Sequence, residues 1–466
     1  MHSETSNSTR ALAQRARKIR KSRCHQRKYL NGIEQWARSF LKKKKTIVMI
    51  ESVAVLFHGL SQKFDLPPDG FESGEKDPNL TMEDMGDKAE ILGKLQCNLL
   101  PLLKDQITSL LTSLDLQHNS EDERPNLDLG STLKILSNFE RTMMSTLSSI
   151  RILAHGSPLP DKKHDHRLHN LKSFRCARLY LYIDGIVKPT INTLLIFCSR
   201  FTQCCGVAIR LANPALGWEE PLQSMSSICG IAAAACGLID ETITLCRKSD
   251  FALIQEGWLT AEGGFNEQLE HLTELADLSR DLEAELAVLT ILPSEEPDLI
   301  ERTIIKTRRK AAEEEMVEVA KSTMSLVKLA RILVKKLLRM IPKKPIFEQD
   351  IGINSNTLEQ FYDLFAPVRD SLGSLVSHLR EFRRTDQTTT IADRDQMDTL
   401  VYSLSDDMKC TMIFIASHLS LFQYRAKNIS PKNDFKAWSG TLEKLWDKAV
   451  DRLLNLISSL EVEPEQ

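Results

Sequence analysis

The strongest constraint on the fold of this chain is a heptad pattern in the stretch 298–341. Apolar or small residues recur there at alternating steps of four and three: Met316, Ala320, Thr323, Val327, Ala330, Val334, Leu337 and Ile341. On an α-helix this spacing forms one narrow stripe that neighbouring helices must cover. The stripe is widened by Leu326, Leu333 and Leu338, which favours the core of a helical bundle over a two-stranded coiled coil.

The composition agrees with long helices. The chain has 19 glycines and 17 prolines in 466 residues, whereas average usage of the two together is about 12%. No stretch of useful length alternates polar and apolar residues as a strand does. We therefore predict an all-α protein made of two antiparallel helical bundles. The final helix, near 434–460, has a second apolar stripe: Leu442, Leu445, Trp446, Ala449, Leu453, Leu456, Ile457 and Leu460.

Charge divides the chain into three parts. Residues 1–46 hold 14 Lys and Arg but two acidic residues, with too few apolar residues to build a core. We predict that residues 1–48 are a basic tail, disordered or partly helical, followed by an N-terminal bundle over 49–248 and a C-terminal bundle over 249–466. Met49 is a second possible start of the chain.

The charges of the C-terminal part are segregated between two consecutive helices. Residues 250–301 carry 14 acidic residues and one base, whereas residues 302–344 carry 13 bases and four acidic residues. A turn at Pro293–Pro297, with Ser294 as its candidate helix cap, lets the two helices fold back on each other. We expect the opposite charges to favour an antiparallel hairpin.

Several residues predict where helices begin, bend or break. Thr81 is a candidate N-terminal cap with Asp84 three residues later, and Pro101 predicts a kink or restart. The pair Gly263–Gly264 predicts a break in a helix over 250–290. Two further helices are expected over 166–187 and 190–212.

The cysteines and the apolar stretches bear on cellular location. Ten cysteines are too few for a disulfide scaffold, and Cys198, Cys204 and Cys205 are expected to pack in a helical core. We predict an intracellular protein, cytoplasmic or nuclear, or mitochondrial if residues 1–33 act as a presequence. The uncharged stretch 221–239 predicts either a membrane span or a buried helix, in which Gly230, Ala234 and Gly237 admit neighbouring backbones.

One cluster has the residue types of a metal site. His164, His166 and His169 lie among acidic residues, and imidazole with carboxylate suits zinc. No C-x-x-C pair occurs anywhere in the chain, so a polar loop between helices is the alternative. We expect no cofactor.

The sequence lacks the motifs of common enzymes. It contains no P-loop, no dinucleotide fingerprint, no G-x-S-x-G and no H-E-x-x-H. We therefore expect no enzymatic activity and no small-molecule substrate.

Basic residues mark two candidate contact surfaces for a protein partner or a polyanion. The first lies in the tail and the second on the helix that follows Val319. We predict a non-enzymatic scaffold or adaptor for protein–protein interaction, with a nucleic-acid- or membrane-associating protein acting through residues 1–46 as the alternative. The candidate residues are Arg15, Arg17, Lys18, Arg20, Lys21, Arg23, Lys42, Lys43, Lys44, Lys45, Lys335, Lys336 and Arg339.

The order of segments resembles a known family. LLPLLKDQITSLLTSLD, HRLHNLKSFRCARLY, WLTAEGGFNEQLEHL, SLVKLARILVKKLLR and FKAWSGTLEKLWDKAV are similar to segments of a large, uncharacterised family of helical proteins in rust fungi, over about residues 49–460. That resemblance implies a helical fold but no activity, ligand or catalytic residue. In addition, KSTMSLVKLARILVKKL and LEQFYDLFAPVRDSLGSLV faintly resemble cyclin-D-binding helical proteins.

Overall fold

The structure, a computed structural model, describes residues 35, 38, 40–66, 75–116, 125–211, 219–277, 298–340, 352–385, 390–423 and 431–460. Within the helices, the side chains at 298–313, 383–385, 419–423 and 431–434 lie outside this description. The described part is almost entirely helical, which confirms the all-α prediction. Two short strands, β1 (Lys76–Asp77) and β2 (Leu159–Pro160), pair in parallel. The predicted turn at Pro293–Pro297 and the candidate cap Ser294 lie outside the described residues.

The chain forms two compact units. Unit 1 comprises Met1–Asp161 and Asn170–Arg247, and unit 2 comprises Lys162–His169 and Lys248–Gln466. The helices of unit 1 are α1 (residues 40–61), α2 (Gly86–Lys94), α3 (Leu100–Ser113), α4 (Leu129–His155), α5 (Ser173–Ile186), α6 (Asn192–Arg210) and α7 (Glu219–Arg247).

Two π-helical turns in unit 1 carry the chain past prolines. Leu95–Leu99 joins α2 to α3 just before Pro101, and Val187–Ile191 contains Pro189 and joins α5 to α6. Proline has no N–H and its ring clashes with the carbonyl four residues earlier, so a wider turn accommodates it without ending the helix. Pro101 lies in the first turn of α3, which agrees with the predicted kink or restart there. The predicted helices over 166–187 and 190–212 correspond to α5 and α6, although α5 begins only at Ser173.

Buried polar contacts show the relative direction of α3 and α4 in unit 1. The α3–α4 pair is antiparallel, because Gln106 Nε2 donates to Thr142 Oγ1 at 3.1 Å while Ser113 and Thr132 share a buried hydroxyl contact at 3.0 Å. In the turn before α2, the backbone N–H of Thr81 donates to Asp84 Oδ2 at 2.9 Å. The predicted pairing of Thr81 with Asp84 is thus confirmed, but Thr81 does not cap the helix, because α2 begins at Gly86 with Met85 at its cap position.

Unit 2 is built from longer helices. They are α8 (Asp250–Asp277), α9 (Asp298–Met340), α10 (Ser355–Tyr362), α11 (Ala366–Thr385), α12 (Ile391–Gln423) and α13 (Pro431–Ser458). Helix α8 continues through Gly263 and Gly264, so the predicted break there is wrong. A Cβ atom at Gly264 would lie 2.7 Å from Arg369 Cδ, so this glycine serves close packing between helices.

Helices α8 and α9 are antiparallel, as their charges predict. Lys335 Nζ lies 3.3 Å from Glu262 Oε1, while Thr273 Oγ1 lies 3.8 Å from Met324 Sδ, so the sequence numbers run in opposite directions.

Helices α10 and α11 both pack on α8. The Trp258 indole N–H donates to the Phe361 carbonyl in α10 at 2.7 Å, and Gln268 Nε2 donates to the Arg369 carbonyl in α11 at 2.7 Å. A Cβ atom at Gly264 would meet Arg369 and one at Gly373 would meet Gln268, so the residue numbers increase together and α11 runs parallel to α8. Helix α12 then returns antiparallel to α11, where the Ser371 hydroxyl donates to Asp407 Oδ2 at 2.6 Å.

The predicted apolar stripes form most of the core of unit 2. In α9, the stripe from Met316 to Leu337 is buried, with exposed fractions of 8% or less, whereas Ile341 lies outside the described residues. In α13, Leu442, Trp446 and Leu453 are buried, but Leu445 is 49% exposed, so its assignment to the core is wrong. Position 450, occupied by a buried valine, belongs to the core instead.

The short segment Lys162–His169 belongs to unit 2 although its sequence neighbours belong to unit 1. The buried carboxylate of Asp165 accepts from the backbone N–H of Ser355 at 2.7 Å. In the same place, Asn354 Nδ2 donates to the Lys163 carbonyl at 2.8 Å, and the Asn356 N–H donates to the Lys162 carbonyl at 3.0 Å. The segment thus positions the start of α10.

Candidate interaction surfaces

The N-terminal end of α1 extends beyond the packed part of unit 1. The first buried residue of this helix is Ile50, and no described residue of the helix before it is buried. Lys42, Lys43, Lys44 and Lys45 are all exposed, and none makes an ion pair with a described residue. Because consecutive helical residues point about 100° apart, the four ammonium groups surround the helix.

The side of α1 that faces away from the core has an exposed apolar ridge. Leu41, Val48 and Val55 are 63%, 53% and 70% exposed, and their spacing of seven residues aligns them along the helix. Ser52 lies on the same face between Val48 and Val55, and Gly59 lies one turn after Val55. A Cβ atom at Gly59 would meet nothing within 4 Å. We call Leu41, Val48 and Val55 the α1 ridge.

The rest of α1 is held firmly in unit 1. The Ser199 hydroxyl of α6 donates to the Ala54 carbonyl at 2.8 Å, and Arg210 pairs with Glu51. Just after the helix, the ring of Phe64 contacts that of Phe139 edge-on, with centroids 6.1 Å apart. The α1 ridge is therefore carried by a helix with a fixed position in the unit.

The basic residues predicted on α9 differ in their surroundings. Lys335 pairs with Glu262, and the ammonium of Lys336 lies 5.7 Å from the ring centroid of Trp438. Arg339 is exposed. Two of these three candidates thus contact other side chains of unit 2. In contrast, Lys42–Lys45 of unit 1 make no ion pair with a described residue. The candidates from Arg15 to Arg23 lie outside the described residues.

The histidines of the candidate metal cluster do not share a helix face. His166 lies in the 3-10 turn Asp165–Arg167, and His169 begins a separate turn with a positive φ of 45°. His164 and His169 are exposed, and the carboxylate of Asp165 is bound to Ser355 instead. In the part of the chain that the structure describes, no group of three His, Cys, Asp or Glu residues is placed to hold a metal ion.

The cysteines of α6 are placed as core residues, with one exception. Cys198 and Cys205 are fully buried, whereas Cys204 is half-buried. Burial raises the pKa of the Cys198 thiol far above its usual value and raises the pKa of Cys205 to about 12. These thiols are therefore poor nucleophiles.

Two stretches of unit 1 are long and apolar enough to cross a membrane. They are Ser173–Arg210 and Glu219–Arg247, and core helices of soluble proteins also satisfy this criterion. Helix α7 buries one face, which includes Ile228 and Ala235. Gly230 and Gly237 lie on the opposite, exposed face, where added Cβ atoms would meet nothing within 4 Å. Close approach of a described neighbouring backbone to these glycines, as the sequence predicted, is therefore wrong.

Helix α2 contains a buried lysine that was not predicted from the sequence. Lys88 is 2% exposed, and its ammonium donates to the Leu153 carbonyl in the last turn of α4 at 3.2 Å. Desolvation by burial lowers the pKa of this lysine. The carbonyls at the end of a helix carry partial negative charge, which explains why the ammonium is accommodated there.

Unit 2 has a polar groove between α8 and α11. Its volume is about 550 Å³, and its lining includes Glu267, Gln268 and His271 from α8 and Ser377 and Arg380 from α11. Gln268 is 8% exposed, and its Oε1 has no hydrogen-bond partner among the described residues. Leaving a buried acceptor unpaired costs about 1–3 kcal/mol.

The groove was not predicted from the sequence. The only local signal was the glycine pair Gly263–Gly264, of which Gly264 lines the groove. A glycine inside a helical pattern can indicate close packing as well as a break.

Two family models match the chain. Residues 88–247 match a domain of unknown function (DUF8723), and residues 249–455 match a second domain of unknown function (DUF8721). Comparison with the curated proteins finds no match, and comparison with the solved structures finds none. Two matches to domains of unknown function fit the expected resemblance to an uncharacterised family.

Proposed function

We propose that the protein is a non-enzymatic helical adaptor and that the α1 ridge binds an acidic amphipathic helix of a partner protein. The observation that carries this proposal is the exposure of three apolar side chains, Leu41, Val48 and Val55, in heptad register on one outward face. Apolar residues spaced by seven match the seam of a second helix. The exposed Lys42–Lys45 next to them favour acidic residues along that partner.

A synthetic peptide tests this proposal directly. The probe is a three-heptad amphipathic helix with Leu at positions a and d and Glu at the flanking positions, and its counterpart has Lys in place of Glu. We expect the acidic peptide to bind the full chain and the basic peptide to bind at least tenfold more weakly, because Lys42–Lys45 repel it.

Substitutions in α1 locate the binding surface. Val48→Glu with Val55→Glu should weaken binding of the acidic peptide at least tenfold, since it places charges in an apolar seam. The matched control is Ile413→Glu on α12, because Ile413 is also 70% exposed. Equal binding of the two peptides, or unchanged affinity of the double variant, would contradict the proposal.

The alternative function is association with a nucleic acid or an anionic membrane surface. It is supported by the four exposed lysines Lys42–Lys45, which lack ion pairs with described residues. Binding of DNA or of phosphatidylserine vesicles should then be lost when these lysines are replaced by Gln and should fall steeply with salt. Val48→Glu with Val55→Glu leaves DNA binding largely intact under this alternative, so the two variant sets separate the functions.

The remaining expectations belong to the same proposal. We infer that the two units are antiparallel bundles of one lineage-expanded family of rust fungi and that the protein is intracellular, cytoplasmic or nuclear. The faint likeness of parts of α9 to α11 to cyclin-D-binding proteins agrees with a role in protein–protein interaction. The segment order supports the family assignment, and the two matched domains of unknown function agree with an uncharacterised family.

A further inference from the structure

The chain itself contains a sequence that matches the α1 ridge. Residues 278–292, which directly follow α8, read LSRDLEAELAVLTIL and lie outside the described residues. Their leucines recur at steps of four, four and three, so on a helix they fall within an arc of about 80°. These leucines are Leu278, Leu282, Leu286 and Leu289. The segment 278–292 therefore has the apolar stripe that the α1 ridge requires of a partner helix.

The charges of this segment are complementary to those beside the ridge. Asp281, Glu283 and Glu285 are acidic, and Arg280 is the one base of the segment. Asp281 and Glu285 lie along one edge of the leucine stripe, because residues four apart share a helix face. Lys42–Lys45 are exposed and make no ion pair with a described residue. Attraction between the two sets of charges therefore favours this segment over a neutral or basic one.

The lengths of the two elements also agree. Leu41 and Val55 are 14 residues apart, which is about 21 Å along α1, and a helix of 15 residues is about 22 Å long. Pro293 follows the segment directly and disfavours a continuation of the helical pattern beyond Leu292. The five residues 293–297 then lead to α9.

The α1 ridge is exposed in a single chain. Leu41, Val48 and Val55 are 63%, 53% and 70% exposed there, so the helix that covers them belongs to another molecule. We propose, on the basis of the adaptor function proposed above, that the segment 278–292 of a second copy binds the α1 ridge as a helix. Two copies related by a two-fold axis each supply one ridge and one segment, so a closed dimer covers both ridges.

Sedimentation equilibrium of the full chain measures this association. We expect a dimer with a dissociation constant below about 0.1 mM. Leu282→Glu with Leu289→Glu should raise that constant at least tenfold, because the two carboxylates enter an apolar seam.

An exchange of charges distinguishes a direct contact from a loss of folding. Asp281→Lys with Glu285→Lys should weaken dimerisation at least tenfold, and replacement of Lys42–Lys45 by Glu in the same chain should restore it, because both sides of the contact then change sign. The matched control is Asp447→Lys with Asp451→Lys, since both residues are exposed on α13 with the same spacing and the change in net charge is equal. This control should leave the dissociation constant unchanged.

A synthetic peptide of residues 278–292 separates this inference from the adaptor function. It should bind the chain with Leu282→Glu and Leu289→Glu, whose ridge no second copy covers, and should bind the chain with Val48→Glu and Val55→Glu at least tenfold more weakly. Binding of the three-heptad acidic peptide without binding of this one would overturn the inference and leave the adaptor function standing. A chain that stays monomeric up to about 0.1 mM, or a dimer that neither the leucine variant nor the charge variant weakens, would also overturn it.

Discussion

Lys335 Nζ lies 3.3 Å from Glu262 Oε1 and joins the basic helix α9 to the acidic helix α8. The Glu262 side chain is 18% exposed, so the pair is less screened than the exposed pair of Lys321 and Glu318, whose side chains are 49% and 47% exposed. We expect Glu262→Gln to destabilise the protein by about 1 kcal/mol. A double-mutant cycle with Lys335→Met measures the coupling, and a cycle on Lys321 and Glu318 gives the exposed reference. Equal coupling energies in the two cycles would show that partial burial contributes nothing.

Two glycines of α8 should respond in opposite directions to alanine. A Cβ atom at Gly257 would lie 2.3 Å from the Tyr362 carbonyl oxygen, so Gly257→Ala should destabilise the protein by about 1–3 kcal/mol. At Gly263 a Cβ atom would meet nothing within 4 Å, so Gly263→Ala should stabilise it by about 0.5–1 kcal/mol. Urea unfolding of both variants measures the difference. A stabilising Gly257→Ala would be incompatible with the close α8–α10 contact.

The buried ammonium of Lys88 should make stability depend on alkaline pH. Burial lowers the pKa of Lys88 below its value of 10.5 in the unfolded chain. Between these two pKa values the unfolded chain binds more protons, so the free energy of unfolding rises with pH in that window. Lys88→Met should therefore be more stable than the natural protein at pH 7, by up to about 1 kcal/mol, and its advantage should shrink as pH approaches 10.5.

The control for this prediction is Lys94→Met at the exposed end of the same helix. The difference in stability between the two variants should therefore change with pH over that window. Denaturant unfolding at several pH values measures both variants, and a pH-independent effect of Lys88→Met would contradict the assignment.

The cysteines should differ strongly in reactivity. Cys97 and Cys410 are exposed, whereas Cys198 and Cys205 are buried and have raised thiol pKa values. Alkylation of the native protein should label the first two within minutes and the latter two only after unfolding, because the thiolate is the reactive species. Peptide mass spectrometry reads the labelling, with the denatured chain as the reference. Rapid native labelling of Cys205 would show that α6 opens locally.

Sequence patterns predicted the fold correctly where the burial of a side chain depends only on its position around its own helix. The seam that includes Val327 and Val334 could be recognised because burial follows the periodicity of its own helix. The opposite charges of the two helices predicted the antiparallel α8–α9 hairpin for a similar reason. Electrostatic attraction between two helices acts over a long range and does not depend on how their side chains pack. Leu445 was wrongly assigned to the core because the apolar stripe of α13 is wider than the face that neighbouring helices cover.

The groove could not be predicted because it depends on residues far apart in sequence. Gln268 lines it only because α11 packs against α8, through contacts such as Gln268 to Arg369, 101 residues apart. The position of the α1 ridge likewise depends on α6 covering the other face of the helix. Exposure of Leu41, Val48 and Val55 is therefore a tertiary property, although their heptad spacing is visible in the sequence.

The contact between Asp165 and Ser355 has a consequence for synthesis on the ribosome. The two residues are 190 positions apart, so at a typical elongation rate of about 5–20 residues per second Asp165 waits roughly 10–40 seconds for its partner. During that interval the nascent chain holds a piece of unit 2 inside a sequence that otherwise belongs to unit 1. Unit 2 therefore cannot be completed from the second half of the message alone, and translation pauses before residue 355 lengthen the time for which Asp165 lacks this partner.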